Sequence, residues 1–186
     1  MSGGNTESPR IRLLERDQVS PEVANVYDAL QKARGVVPNM FKTLAHSPAL
    51  ALATAGYLKA LLSDGALPGF YKELIAMRLS GLLSSEYAVK AHALSARQKG
   101  ASETQIAAAR ADFENGPFTQ AEKLGFRAAD RLHHSAVEIT DDFFAELKRH
   151  FTDPQIIELI ATAAAFELFP RFVDGLRIPV TPAPDG

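Results

Sequence analysis

The chain, 186 residues long, predicts an all-α fold. Three observations carry that expectation. Apolar residues recur at helical spacing through most of the chain, residues that start and stop helices punctuate it, and no stretch alternates apolar and polar residues beside hairpin-turn chemistry. In order, Ser20-Pro21 caps a first helix with an apolar stripe of Val23, Val26, Tyr27 and Leu30, and Gly35 ends it. Gly35 to Phe41 turns into a short helix at about Met40 to His46. Ser47-Pro48 opens a helix carrying Leu50, Leu58, Leu61 and Leu62 that breaks at Asp64-Gly65. A fourth helix spans about Phe70 to Leu83. Ser84-Ser85 can then cap a fifth, which runs to about Lys99 and stops at Gly100. Ser102-Glu-Thr-Gln105 and Thr119-Gln-Ala-Glu122 are capping boxes for helices to about Asp112 and Ser135, separated by the Asn115-Gly116-Pro117 turn. Thr140 caps a helix to about His150, and Thr152 starts the last, to about Gly175.

This layout reads as an arm over 1–10, one helical domain over 11–178, and an extended tail over 179–186 that is mobile or draped on a neighbouring subunit. With 46% hydrophobic and 23% charged residues the chain can bury a core without staples. It contains no cysteine, which removes disulfides, thiolate metal sites and every thiol redox cycle. A net charge of −2 gives no electrostatic footprint for nucleic acid. The polar start lacks a signal peptide's apolar core, and no apolar run reaches the roughly 18 residues of a membrane span, so a cytoplasmic protein without a membrane partner is expected. His133 and His134 are neighbours that diverge by about 100° on a helix, which speaks against a shared metal. The helix around Gln155 to Phe169 is apolar on nearly every side and is expected to be buried all round, which implies a homo-oligomer. Lys72-Glu73-Leu-Ile-Ala echoes Ile157-Glu158-Leu-Ile-Ala about 85 residues later, a hint of internal duplication.

The stretch Leu67 to Gly100 holds the chemistry. Glu73 lies in the fourth helix, and Ser85, Ala88 and His92 fall within roughly a 60° arc of the fifth. If the two helices form a hairpin, Glu73 and His92 approach at its seam. A carboxyl half-buried there would have a raised pKa, and an imidazole titrates near neutrality. Plainer readings stand beside these. Glu73 can favour its own helix dipole, His92 can make a structural hydrogen bond, and Ser85 can cap. Tyr87 and Glu86 can serve packing and surface, and His46 can end its helix.

Glu73, then Ser85-Glu-Tyr-Ala88 twelve residues on, then His92, resembles the carboxymuconolactone decarboxylase and alkylhydroperoxidase D superfamily. Pro38-Asn-Met-Phe-Lys-Thr-Leu-Ala-His46-Ser-Pro48 and Phe172-Val-Asp-Gly-Leu176 are similar to its longer, peroxidase-related members, so the resemblance spans about Arg12 to Pro179. It implies a multi-helix bundle built around a helix hairpin, assembled as a trimer or hexamer with pockets near subunit contacts. Redox-active members carry a Cys-x-x-Cys between the glutamate and the histidine. This chain has Ser85 and Ala88 there, so the thiol peroxidase route is chemically closed. The decarboxylase branch does without cysteines. By that resemblance the chain is a cofactor-free lyase or isomerase on a small lactone or carboxylic acid, with Glu73 as base, His92 as acid and Ser85 holding an oxygen. Tyr87, Ala88, His46 and Arg78 are candidates for substrate contact. Lys72, Lys90 and Arg97 join Arg78 as cations near enough in sequence to hold a substrate carboxylate. The other class is a non-catalytic scaffold or binding protein descended from alkylhydroperoxidases.

Overall fold

A computed structural model describes residues 8–184. Residues 1–7 of the expected arm and 185–186 of the expected tail lie outside the described residues. Among the described residues the regular elements are helices: α1 (Pro21–Arg34), α2 (Asn39–Leu44), α3 (Pro48–Leu62), α4 (Gly69–Leu82), α5 (Glu86–Gln98), α6 (Glu103–Arg110), α7 (Gln120–His134), α8 (Asp141–His150) and α9 (Asp153–Gly175). The all-α class is therefore the observed one. The helix ends follow local chemistry. Ser20, Ser102, Thr119 and Thr140 accept the backbone N–H three residues on, at Val23, Gln105, Glu122 and Phe143. Gly35 closes α1 in the left-handed region at φ 75°.

The chain divides into two compact units, 1–59 with 172–186, and 60–171. In the first, the Tyr27 hydroxyl donates to the carbonyls of Leu14 (3.1 Å) and Phe41 (3.4 Å). The tail does not hang free: the Asn39 N–H donates to Thr181 Oγ1 at 2.9 Å and Asn39 Nδ2 to the Pro179 carbonyl at 3.1 Å. Pro184 lies only 2.8 Å from where a Cβ on residue 35 would stand, so Gly35 both ends a helix and admits the tail. Its described part is thus clasped by its own chain.

In the second unit α4 is the buried axis: every residue from Tyr71 to Met77 is buried. The Tyr71 hydroxyl donates to the Glu122 carbonyl at 2.6 Å, and only a glycine at 125 leaves room, since a Cβ there would come within 2.1 Å of that oxygen. Tyr71 and Phe126 meet edge to face at 5.3 Å. Leu83 and Ser84 turn the chain from α4 to α5. Ser84 sits at φ 59°, and the N–H of Ser85 returns to the Ser80 carbonyl at 2.9 Å, which closes the end of α4 as a Schellman turn. Within the single chain helix α9 is not covered on every side, for Ile157 is 69% exposed and Leu168 58%.

Candidate active site

Helix α4 carries Glu73 into the interior, where it is 1% exposed. A carboxylate there must be neutralised, and α5 supplies the partners. His92 Nδ1 lies 2.6 Å from Glu73 Oε2, and Lys99 Nζ donates to Glu73 Oε1 at 2.5 Å. The same ammonium donates to the carbonyl of Leu62, the last residue of α3, at 2.7 Å. Burial pushes the Glu73 carboxyl up. The hydrogen bond and charge of His92 and the charge and hydrogen bond of Lys99 outweigh burial, so the net displacement is downward. This corrects the raised pKa expected from burial alone. The expectation weighed desolvation without the two cationic partners.

An ionised carboxylate can only accept hydrogen bonds. The Nδ1 of His92 must therefore carry the proton between them, and in the neutral ring Nε2 holds the lone pair. That nitrogen makes no hydrogen bond among the described residues. The ring packs edge to face on Phe166, centroids 4.3 Å apart, and 11% of the side chain reaches solvent. Glu73 thus orients the imidazole through Nδ1.

Ser85, Ala88, His92, Ser95 and Lys99 fall within an arc of about 80° on α5, a stripe of small and polar residues turned toward α4. Ser85 occupies the N-cap position of α5, yet its side chain makes no capping bond. Its hydroxyl is fully buried without a partner, as is that of Ser95. The capping role read for Ser85 is corrected: its main chain starts the helix, and its hydroxyl points inward. Tyr87 and Ala88 are buried on the same helix. Arg78 is committed elsewhere, bidentate to Asp130 (2.5 and 2.6 Å), donating to the Ala109 carbonyl and lying 4.5 Å over the Phe113 ring. Lys72 is bonded to Glu158 at 2.8 Å, while Lys90 and Arg97 pair on the surface with Glu86 and Glu103. His46 belongs to the other unit, exposed, with Nε2 3.0 Å from the Arg12 carbonyl. The cation at the site is therefore Lys99, which sequence reasoning passed over. Its signal was present, seven residues beyond His92 and so on the same helix face.

Residues 48–131 match the family model described as the carboxymuconolactone decarboxylase family, and this stretch contains Glu73, Ser85, Ala88, His92 and Lys99. The matched stretch, a little under half of the chain, holds no cysteine. The helical fold is shared with a peroxidase-related protein from Silicibacter sp. TM1040 (TM-score 0.84, 21% identity, 96% of each chain covered). It is shared too with an alkylhydroperoxidase D core protein from Ralstonia eutropha JMP134 (TM-score 0.85, 23% identity, 93% of this chain and 92% of that one). A third similar structure is the debrominase Bmp8, crystallised with 2,3,4-tribromopyrrole in a variant with alanine in place of a cysteine (TM-score 0.81, 23% identity, 98% of this chain and 96% of that one). None of the curated proteins matches the chain in sequence.

Proposed function

We propose that this chain is an acid–base lyase or isomerase acting on a small lactone or carboxylic acid, with the imidazole of His92 as the proton-transferring group. The observation that carries this reading is the 2.6 Å bond from His92 Nδ1 to a buried, ionised Glu73, which leaves Nε2 unpartnered and basic. The match of residues 48–131 to the family model supports the reaction class, and the absence of cysteine closes the thiol alternative.

In the decarboxylation of a lactone acid, the bond from the ring carbon to the carboxylate breaks, carbon dioxide leaves, and the electron pair stays as an enolate. Protonated His92 delivers its Nε2 proton to that carbon and recovers it from solvent. Glu73 balances the imidazolium charge throughout. For an isomerisation, neutral Nε2 takes the proton from one carbon and returns it to another. In either case the Ser85 hydroxyl supplies a buried donor for a substrate oxygen.

The test is turnover and thermal shift with carboxymuconolactone and simpler lactone acids. The parent protein should release carbon dioxide or isomerise one of them and melt higher in its presence. His92→Ala should lose about 10² to 10⁴-fold in rate while remaining folded. If no lactone or acid is turned over or moves the melting temperature, the chain is a non-catalytic scaffold and the reading is wrong.

A further inference from the structure

Lys99 lies outside the Glu73, Ser85, Ala88 and His92 pattern, yet it makes two of the hydrogen bonds that hold the site together. Its ammonium grips Glu73 Oε1 (2.5 Å) and the Leu62 carbonyl (2.7 Å), so one side chain joins the end of α3 to the carboxylate of α4. Leu62 is the last residue of α3, where carbonyls lack helical partners and the dipole is negative, a natural place for a cation. The neighbourhood is shaped for this contact. A Cβ on Gly69 would stand 2.9 Å from the Leu62 oxygen and 3.3 Å from Lys99 Cδ, so the absence of a side chain at the start of α4 lets the lysine stem and the carbonyl come together. Gly69 itself donates its N–H to Asp64 Oδ1 at 2.7 Å, which fixes it in that place.

We propose that Lys99 is a positioning residue for the His92 site: by holding one oxygen of Glu73 it aims the other at Nδ1 and keeps the carboxylate an acceptor, with Gly69 as the space that admits it. This rests on the acid–base reading above but does not need a substrate to be tested. His92 of α5 and Lys99, the residue that caps its C-terminus, are the charged or titratable groups that meet the Glu73 oxygens. On the other sides of α4, Glu158 is taken up by Lys72 and Asp130 by Arg78. A lysine that served only as a tether to Leu62 would support folding and leave the carboxylate's titration alone.

The experiment follows the Glu73 carboxyl carbon by NMR as a function of pH, in the full chain without ligand. In Lys99→Met the titration midpoint should move upward, because one of the two groups that favour the ionised form is gone. At a pH where the parent ring is neutral, the ring nitrogens of His92 should lose part of their Nδ1–H signature. Lys99→Arg should restore both, since it returns the cation. Gly69→Ala, which alters no charge, should move the midpoint in the same direction as Lys99→Met by pressing on the Leu62 carbonyl and the lysine stem. Lys99→Gln keeps a donor for Leu62 and gives the same reading if the methionine variant does not fold. A midpoint and tautomer unchanged in a folded Lys99→Met or Lys99→Gln protein would overturn the proposal, as would an arginine variant that behaves like the methionine one. Because every readout is taken without ligand, a failed search for substrate leaves this result standing, and the reverse also holds.

Discussion

Lys72 and Glu73 are consecutive residues of α4, both buried and oppositely charged, and the protein neutralises them in different ways. Lys72, with no exposed surface, is met by Glu158, whose carboxylate also accepts the N–H groups of Ala66 (2.9 Å) and Leu67 (3.0 Å). Every partner in that cluster is an ammonium, a carboxylate or the main chain, and it pins the loop before α4 to α9. Glu73 is met instead by an imidazole and by an ammonium that is 34% exposed. This second cluster keeps a nitrogen without a partner, lies beside the small residues Ser85 and Ala88, and touches solvent. Both clusters balance a buried charge. Only the second contains an imidazole, held by the carboxylate through one nitrogen.

The difference predicts unequal sensitivity, and the largest effect belongs to the closed cluster. Glu158→Ala strands the Lys72 ammonium in the interior and frees two loop amides, and should cost about 3 to 5 kcal/mol of stability. Lys72→Met removes the buried charge and fills its space, leaving Glu158 its two amides and some water, and should cost about 1 kcal/mol. Denaturant midpoints for the two variants decide the matter. If Lys72→Met were the more damaging, the lysine would be contributing something other than a charge in need of a partner.

Acid sharpens the comparison next. Partners hold both carboxyls below their ordinary value near 4.5, His92 and Lys99 against burial for Glu73, Lys72 and the loop amides against burial for Glu158. A depressed carboxyl stabilises the fold fully above its unfolded value, and that stability is lost as pH falls through the folded one. Glu73→Gln should therefore cost about 2 kcal/mol at neutral pH, with the gap to the parent closing as pH drops below about 4.5. Urea titrations at several pH values would show a flatter acid limb for the variant. A gap that stayed constant down to low pH would mean that the carboxylate's charge contributes nothing and only its shape matters.

These clusters also mark how far the sequence could be read. Helix ends were legible because caps are local: Ser20, Ser102, Thr119 and Thr140 each bond a residue three positions on, and a glycine that must adopt positive φ declares itself at 35. The meeting of Glu73 with His92 was legible for a related reason, since consecutive helices joined by only three residues leave few ways to pair. What the sequence hid depends on distant parts. Glu158 reaches Lys72 from 86 residues away, and Arg78 is claimed by Asp130 across 52. Such pairings remove candidate cations from the site without any local sign. Lys99 was hidden differently, because Gly100 marks a helix end and a residue at a helix end reads as surface. Its spacing from His92 told otherwise. The direction of the Glu73 shift was misread because burial can be guessed from a pattern, whereas the identity of the neighbouring cation cannot.

Ser85 gives the smallest effect and the finest division between the two clusters. Lys72 and Glu158 leave no orphan, but the Glu73 side has hydroxyls at Ser85 and Ser95 that are buried and unbonded. A buried hydroxyl without a partner costs about 1 kcal/mol or more, and alanine in its place would remove that cost with little change in volume. Ser85→Ala should therefore stabilise the ligand-free protein by up to about 1 kcal/mol while weakening binding of any lactone acid that uses the hydroxyl. The opposite signs are the useful part. A structural serine that bonds an internal water would lose stability on substitution and leave binding untouched. A serine held in place for a ligand gains stability and loses affinity, because the group is unsatisfied until the ligand arrives.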